Sequence, residues 1–276
     1  MTGRLIGVGV GPGDPEQLTL LAVRTLESSD RIVAPTTGVD SPGRAETIVR
    51  QILPERRIDR VAFDMTPDTM PGGHATRAAS HRTAASALIA WLDADETVAF
   101  VTLGDANVYS TFPSLAAAVM DLRPETVVET VPGICAFQVL AANSGTVLLD
   151  GTESLALVTA LDGTDHVAAA LADPERAVVI YKGGRHLPAI SALLENHGRL
   201  EGAVFGELLG LPGERVRTVA EARDEPATYL ATVIVPPASR PVQIHDHRHA
   251  LPPAGLAHRP AGDTTARSTA ASSNAS

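Results

Sequence analysis

Short apolar runs recur along this chain, and the segments between them follow a different period. Residues 5–10, 31–34, 98–103, 127–131, 155–160, 177–181, 203–205 and 231–235 are rich in Val, Ile, Leu and Ala. Such runs, largely without polar alternation, fit strands covered on both faces, as in a parallel sheet. Residues 15–28, 45–53, 75–92, 114–121 and 187–196 instead place apolar side chains three and four positions apart, the spacing of an amphipathic helix. The first of these carries its own start signal, with Asp14 at the N-cap, Pro15 at the first helical position and Glu16 in the first turn. Strands that alternate with helices in this way predict a layered α/β fold.

An Arg-Pro turn interrupts the pattern at 122–125, so two α/β lobes are expected, residues 1–122 and residues 123–237. From 238 to 276 the chain turns to Pro, Ala, Ser, Thr and His without hydrophobic period, which predicts a disordered low-complexity tail. Residues 64–82 include the run MTPDTMPGG and read as a loop able to lie over a site.

Composition narrows the partners. A chain of 276 residues with 44% hydrophobic content can bury one or two cores of ordinary domain size. Net charge is −10, and its 22 basic residues are scattered among 32 acidic ones, which removes the electrostatic footprint of a nucleic-acid binder and favours a small-molecule partner. The single cysteine, Cys135, excludes an internal disulfide and a cysteine-rich metal site and fits a reducing compartment. The opening MTGRLIGVGVGPG lacks the regions of a signal peptide, and no apolar run reaches the roughly 20 residues that span a bilayer. A cytoplasmic protein with no membrane partner is expected.

Candidate chemistry lies in four turns that follow predicted strands. Gly7 to Asp14 reads GVGVGPGD; its glycines admit a ligand to main-chain N–H groups, or serve only a tight strand-to-helix turn. It has neither the Lys-Ser/Thr of a phosphate-binding P-loop nor a clean GxGxxG. Leu103-Gly104-Asp105 opens the second turn, where Asp105 stands at the carboxyl end of a strand, placed either to meet a ligand or to cap the next helix. The third, VPGICA, holds Cys135, which reads as a packing residue more readily than as a nucleophile because no histidine lies close in sequence. In the fourth, Tyr181-Lys182-Gly183-Gly184-Arg185, the cations suit an anionic substrate or a solvated surface.

In chain order, GVGVGPGDPEQLT, GDANVYSTF, VPGICAFQ, SLALVTAL, VVIYKGGR and ATYLATVIV resemble the tetrapyrrole methylase family over nearly all of residues 3–237. Within it, the YSTF, YKGGR and GTES runs are most similar to the subgroup that methylates C20 of precorrin-2. The resemblance implies a two-lobed α/β fold with S-adenosylmethionine in the cleft between the lobes, a tetrapyrrole substrate, a homodimer and no resident metal. The activity implied is C-methylation of precorrin-2, or of cobalt-factor II, at C20 to give precorrin-3A on the way to cobalamin. Cofactor contacts would fall at Pro12, Leu103, Gly104, Asp105, Val108, Tyr109, Cys135, Ala136, Tyr181 and Lys182, with further contacts at Leu209 and Tyr229. Arg44, Lys182 and Arg185 are the cations expected to meet substrate carboxylates.

Three positions depart from the family pattern: Ala106 stands for a common proline, Cys135 for a small hydroxyl residue and Tyr181 for a frequent methionine. No catalytic base is identified. A same-family enzyme acting at another ring carbon is the nearest alternative. A nucleotide-dependent dehydrogenase would need an acidic residue at the end of the second strand, where this chain has Ala34-Pro35. His245, His247 and His249 read as part of a polar tail or as a metal-binding cluster.

Overall fold

The computed structural model describes residues 3–38, 41–64, 73–225 and 227–240. The first half builds a five-stranded sheet from β1 (Arg4–Gly9), β2 (Arg31–Thr36), β3 (Ile58–Ala62), β4 (Thr97–Thr102) and β5 (Val127–Val131). Its order is β3-β2-β4-β1-β5, with every pairing parallel. Alternate residues of these strands face opposite cores. Leu5, Val33, Val98 and Phe100 pack under α3 (Gly73–Asp93) and α4 (Phe112–Leu122). Ile6, Val8, Ile32, Ala34, Ala99 and Val101 pack under α1 (Leu20–Ser28) and α2 (Arg44–Ile52). Helices on both faces are the condition under which a parallel sheet buries its near-continuous apolar strands.

The second sheet has the order β6-β7-β10-β8-β9, from β6 (Ser154–Thr159), β7 (Arg176–Tyr181), β8 (Val204–Glu207), β9 (Arg215–Thr218) and β10 (Ala231–Val235). Only β6 and β7 pair in parallel; the other pairings are antiparallel. On one face lie α6 (Asp165–Leu171), α7 (Leu187–Asn196) and α8 (Val219–Ala222), packed on Val178, Ile180, Phe205 and Val233. On the other, α5 (Ala136–Ser144) sets Val139, Leu140 and Ala141 against Val179, Val204 and Ile234.

Several expectations need correction. The chain leaves the first sheet after Val131 rather than near Leu122, because β5 pairs with β1 and completes that sheet. The first predicted helix is two pieces: Asp14 caps a short 3-10 turn at Pro15–Gln17, and Thr19 caps α1 separately with its side chain. β3 and β9 escaped the apolar-run reading because each is an edge strand carrying arginines, and charge is what keeps an edge from pairing further. β5 is exposed at three of its positions for the same reason of edge placement. Of the loop expected at 64–82, residues from Gly73 onward are helical, and 65–72 lie outside the described residues. The first three residues of the predicted tail are bonded to the second half: Ala238 donates to the Pro174 carbonyl, Ser239 to Glu175, and Arg240 bonds Glu153 and the Val147 carbonyl. Residues 241–276, with His245, His247 and His249, lie outside the described residues.

Candidate functional site

In the first sheet, the connection after β1 runs to one side and that after β4 to the other, so the order reverses between these neighbouring strands. Their carboxyl ends therefore open a crevice, the usual ligand position in α/β sheets. The turn after β1 meets the turn after β4 through reciprocal bonds: Gly104 N donates to Gly11 O at 2.8 Å, and Gly11 N to Gly104 O at 3.3 Å. Contact here is backbone on backbone. A Cβ on Gly9 would stand 2.6 Å from Gly104 O, and one on Gly133 would stand 2.2 Å from it, so no side chain fits at either. Asp105 fastens the third turn, its Oδ2 accepting Gly133 N at 2.9 Å and its Oδ1 accepting Asn107 N at 2.8 Å.

The second half closes on the same point. A Cβ on Gly13 would meet Leu209 O at 2.3 Å, so the β1 turn lies directly against the turn after β8. The Tyr109 hydroxyl donates to Leu157 O of β6 at 2.8 Å, and Lys182 Nζ donates to Tyr109 O at 3.2 Å. That ammonium lies 5.5 Å from the Tyr229 ring centroid and 6.0 Å from that of Tyr109, close enough to interact with both rings. Tyr109, Lys182 and Leu208 hold left-handed backbone at φ 49°, 59° and 52°. Non-glycine residues accept that conformation only where surroundings impose it, and such positions cluster at functional sites.

These turns enclose a cavity of about 550 Å³. Pro12, Leu103, Gly104, Asp105, Val108 and Tyr109 line it from the first half, with Cys135 and Ala136 at the start of α5. Tyr181, Lys182, Leu209 and Tyr229 line it from the second, and Arg44 reaches it from the first position of α2. Arg185 is exposed in the short turn before α7 and is not brought to the cavity wall. Sequence reasoning missed the stretch 35–37 with 41–43 at the end of β2, and also Phe63, Ser110, Thr111 and 230–232. The Pro-Thr-Thr-Gly and Ser-Pro-Gly turn signals after β2 were the available clue, since that strand end belongs to the same carboxyl edge.

The wall is mostly apolar or main chain, and among the described residues its charged side chains are Arg44, Asp105 and Lys182. Burial, reinforced by the Asp105 charge, pushes the Cys135 thiol up to about 11, so it stays protonated at neutral pH and packs rather than attacks. Burial also drives the Tyr181 phenol far above its usual range, and its oxygen accepts Phe137 N at 3.2 Å. Tyr181 thus supports the first turn of α5 while its ring stands edge-on to Tyr109. Among the described residues, no group of three His, Cys, Asp or Glu is placed to hold a metal ion, and no helix is long and apolar enough to cross a membrane.

A parallel sheet whose strand ends share a cavity with a mixed second sheet defines the class as α/β. More particularly, residues 4–223 match the model of the Tetrapyrrole (Corrin/Porphyrin) Methylases, and the chain belongs to that family. It is 32% identical to a precorrin-2 C(20)-methyltransferase of Sinorhizobium over 85% of this chain and 95% of the relative. It is 34% identical to the cobalt-precorrin-2 C(20)-methyltransferase of Salmonella typhimurium, over 85% of this chain and 97% of that one. Among solved structures, a cobalamin synthesis related protein of Corynebacterium diphtheriae superposes with TM-score 0.64 at 21% identity, covering 86% of this chain and 100% of its own. A uroporphyrin-III C-methyltransferase of Thermus thermophilus, complexed with S-adenosyl homocysteine, does so with TM-score 0.59 at 22% identity, covering 84% and 97%.

Proposed function

We propose that this protein is an S-adenosylmethionine-dependent methyltransferase of cobalamin biosynthesis that methylates C20 of precorrin-2 or its cobalt-bearing form. The observation that carries the reading is a cavity in which the turns after β1, β4, β5, β7 and β8 meet, on a chain 32% and 34% identical to C20-methyltransferases. Its volume lies within the range of small-molecule sites.

The wall fits a cofactor that is part nucleoside and part amino acid. Gly104, at φ 72°, has nothing within 4 Å of where a Cβ would stand, which leaves open space beside main chain. Pro12, Leu103, Val108, Ala136 and Leu209 offer apolar surface for an adenine, and Arg44 and Lys182 offer charge for carboxylates. When bound, S-adenosylmethionine supplies a methyl group on an electrophilic sulfonium. The chain's part is then to hold the acceptor carbon in line with that methyl and keep water out, which is catalysis by positioning. Arg44 at the start of α2 and Lys182 at the opposite wall orient the macrocycle through its carboxylates. Asp105 has both carboxylate oxygens bonded to backbone N–H groups, so its role is to set the β4 and β5 turns rather than to accept the leaving proton. The two halves act as the lobes of a cleft in a cytoplasmic homodimer.

The test is transfer itself. Purified protein is incubated with methyl-labelled S-adenosylmethionine and precorrin-2, with and without cobalt, and the product is mapped by mass spectrometry and NMR. Label at C20 is the expected result, and the preferred metal state identifies the substrate. Label at another ring carbon keeps the methyltransferase and removes the C20 assignment; no binding of S-adenosylmethionine removes the reading altogether.

A further inference from the structure

Glu207 ends β8, only 3% exposed, and does not line the cavity. A buried carboxylate is costly unless every oxygen is paired. One oxygen of Glu207 takes the Arg215 guanidinium from the neighbouring strand β9. The other accepts Thr228 N at 2.7 Å. Thr228 immediately precedes Tyr229 and Leu230, both of which line the cavity. Arg215 carries the connection further, because its other arm bonds Glu225 at 2.6 Å, and Glu225 also takes Arg217 at 2.6 Å. The segment before Tyr229 is therefore tied at both Glu225 and Thr228 to one charged ladder on the β8–β9 hairpin.

The cavity side of this segment is fixed equally closely. Thr228 O lies where a Cβ on Gly184 would stand 2.0 Å away, so only glycine allows the approach. Lys182 N donates to Ala231 O at 3.1 Å, which sets the Lys182 ammonium beside the Tyr229 ring. Tyr229 itself is 42% exposed and directly follows Thr228, so the backbone at 228 bears on where its ring stands.

We propose that Glu207 is a positioning residue that acts from outside the cavity, holding Tyr229 over Lys182 through the Thr228 amide and the Arg215–Glu225 ladder. This rests on the reading of the cavity as the S-adenosylmethionine site for its effect on ligand, but not for its effect on Tyr229. The chain has three tyrosines, so 3-fluorotyrosine labelling gives three fluorine resonances, assigned by single Tyr→Phe variants. Glu207→Gln should move the Tyr229 resonance toward its position in the unfolded chain and leave that of Tyr181 in place. Glu225→Gln, at the exposed end of the ladder, should move it in the same direction if Glu207→Gln does not fold. An unmoved Tyr229 resonance, or equal movement of Tyr181, overturns the proposal.

Affinity for S-adenosylhomocysteine supplies the second readout. Glu207→Gln should weaken it about three- to tenfold, the net worth of one ordinary hydrogen bond. In a Tyr229→Ala background the same change should cost nothing further, because both variants remove one interaction. Additive losses would show that Glu207 acts by another route. Failure of the unmutated protein to bind S-adenosylhomocysteine would instead sink the functional reading, with the fluorine result standing on its own.

Discussion

At the scale of single residues, the cavity wall is defined by what side chains do not do. Cys135 illustrates it: the thiol is buried and faces the Asp105 charge, and both effects favour the protonated form. A thiol held up near 11 favours the folded state below its usual value of about 8.5, and that contribution fades as pH rises toward 11. Iodoacetamide should therefore label Cys135 slowly at pH 8, with the rate climbing through pH 10 to 11 when followed by intact mass. Fast labelling at pH 8 would mean an exposed or activated thiolate. The glycines give a paired prediction. Gly104→Ala meets no neighbour and should cost only the left-handed conformation, about 1–2 kcal/mol in urea unfolding. Gly13→Ala drives a methyl into Leu209 O and should cost more, up to about 3 kcal/mol. Most of these positions were legible beforehand, since glycine, proline and a carboxylate just after an apolar run mark a strand end. Arg185 was not, because a cation beside a glycine pair carries no sign of which way a short turn faces.

At the scale of elements, α2 shows how a charged edge strand is held. Glu46 is fully buried and takes Arg60 of β3 and Arg50 of its own helix. Burial alone would raise its pKa, but the bonds from Arg60 and Arg50 outweigh that and hold it below the usual carboxylate range. A depressed carboxylate stabilises the fold above its unfolded value of about 4.3 and loses that contribution as pH falls through the depressed value. Glu46→Gln should cost about 1–3 kcal/mol at pH 7. The arginines it leaves are partly exposed and reach water. Denaturant titrations at pH 7 and pH 3 should show the gap between variant and parent closing at the lower pH; an unchanged gap would rule out the carboxylate as its source. β3 itself was illegible in the sequence for the reason this triad explains. Its interior residues are Asp59, Arg60 and Val61, and a charged run becomes a strand only once a partner, here Glu46 on α2, takes up the charge.

At the scale of the whole molecule, the layered α/β class followed from alternating periods, and β1, β2 and β4 of the first sheet followed from near-continuous apolar runs. The second sheet's mixed pairing did not, because a short buried strand looks the same whether its neighbour runs parallel or antiparallel. Nor did the crossing at Val131, since the Arg-Pro turn at 123–124 is only the end of α4. Tyr109 to Leu157 is one of the direct bonds through which the halves meet. Tyr109→Phe keeps the ring and removes the bond, so it should lower global stability by about 0.5–1 kcal/mol in urea titration. A loss several times larger would mean that this contact organises the junction rather than merely joining it.

The meeting of Gly9, Gly104 and Gly133 has a practical consequence. Alanine scanning measures importance by cutting side chains away, and these three positions have nothing to cut. Truncating the surrounding side chains leaves this backbone approach untouched, so a map drawn from truncation alone would look tolerant there. The informative perturbation runs the other way, by adding one carbon at a time. At Gly9 and Gly133 an added methyl must displace the Gly104 carbonyl, whereas at Gly104 it meets no neighbour, so the three substitutions separate backbone crowding from lost conformational freedom.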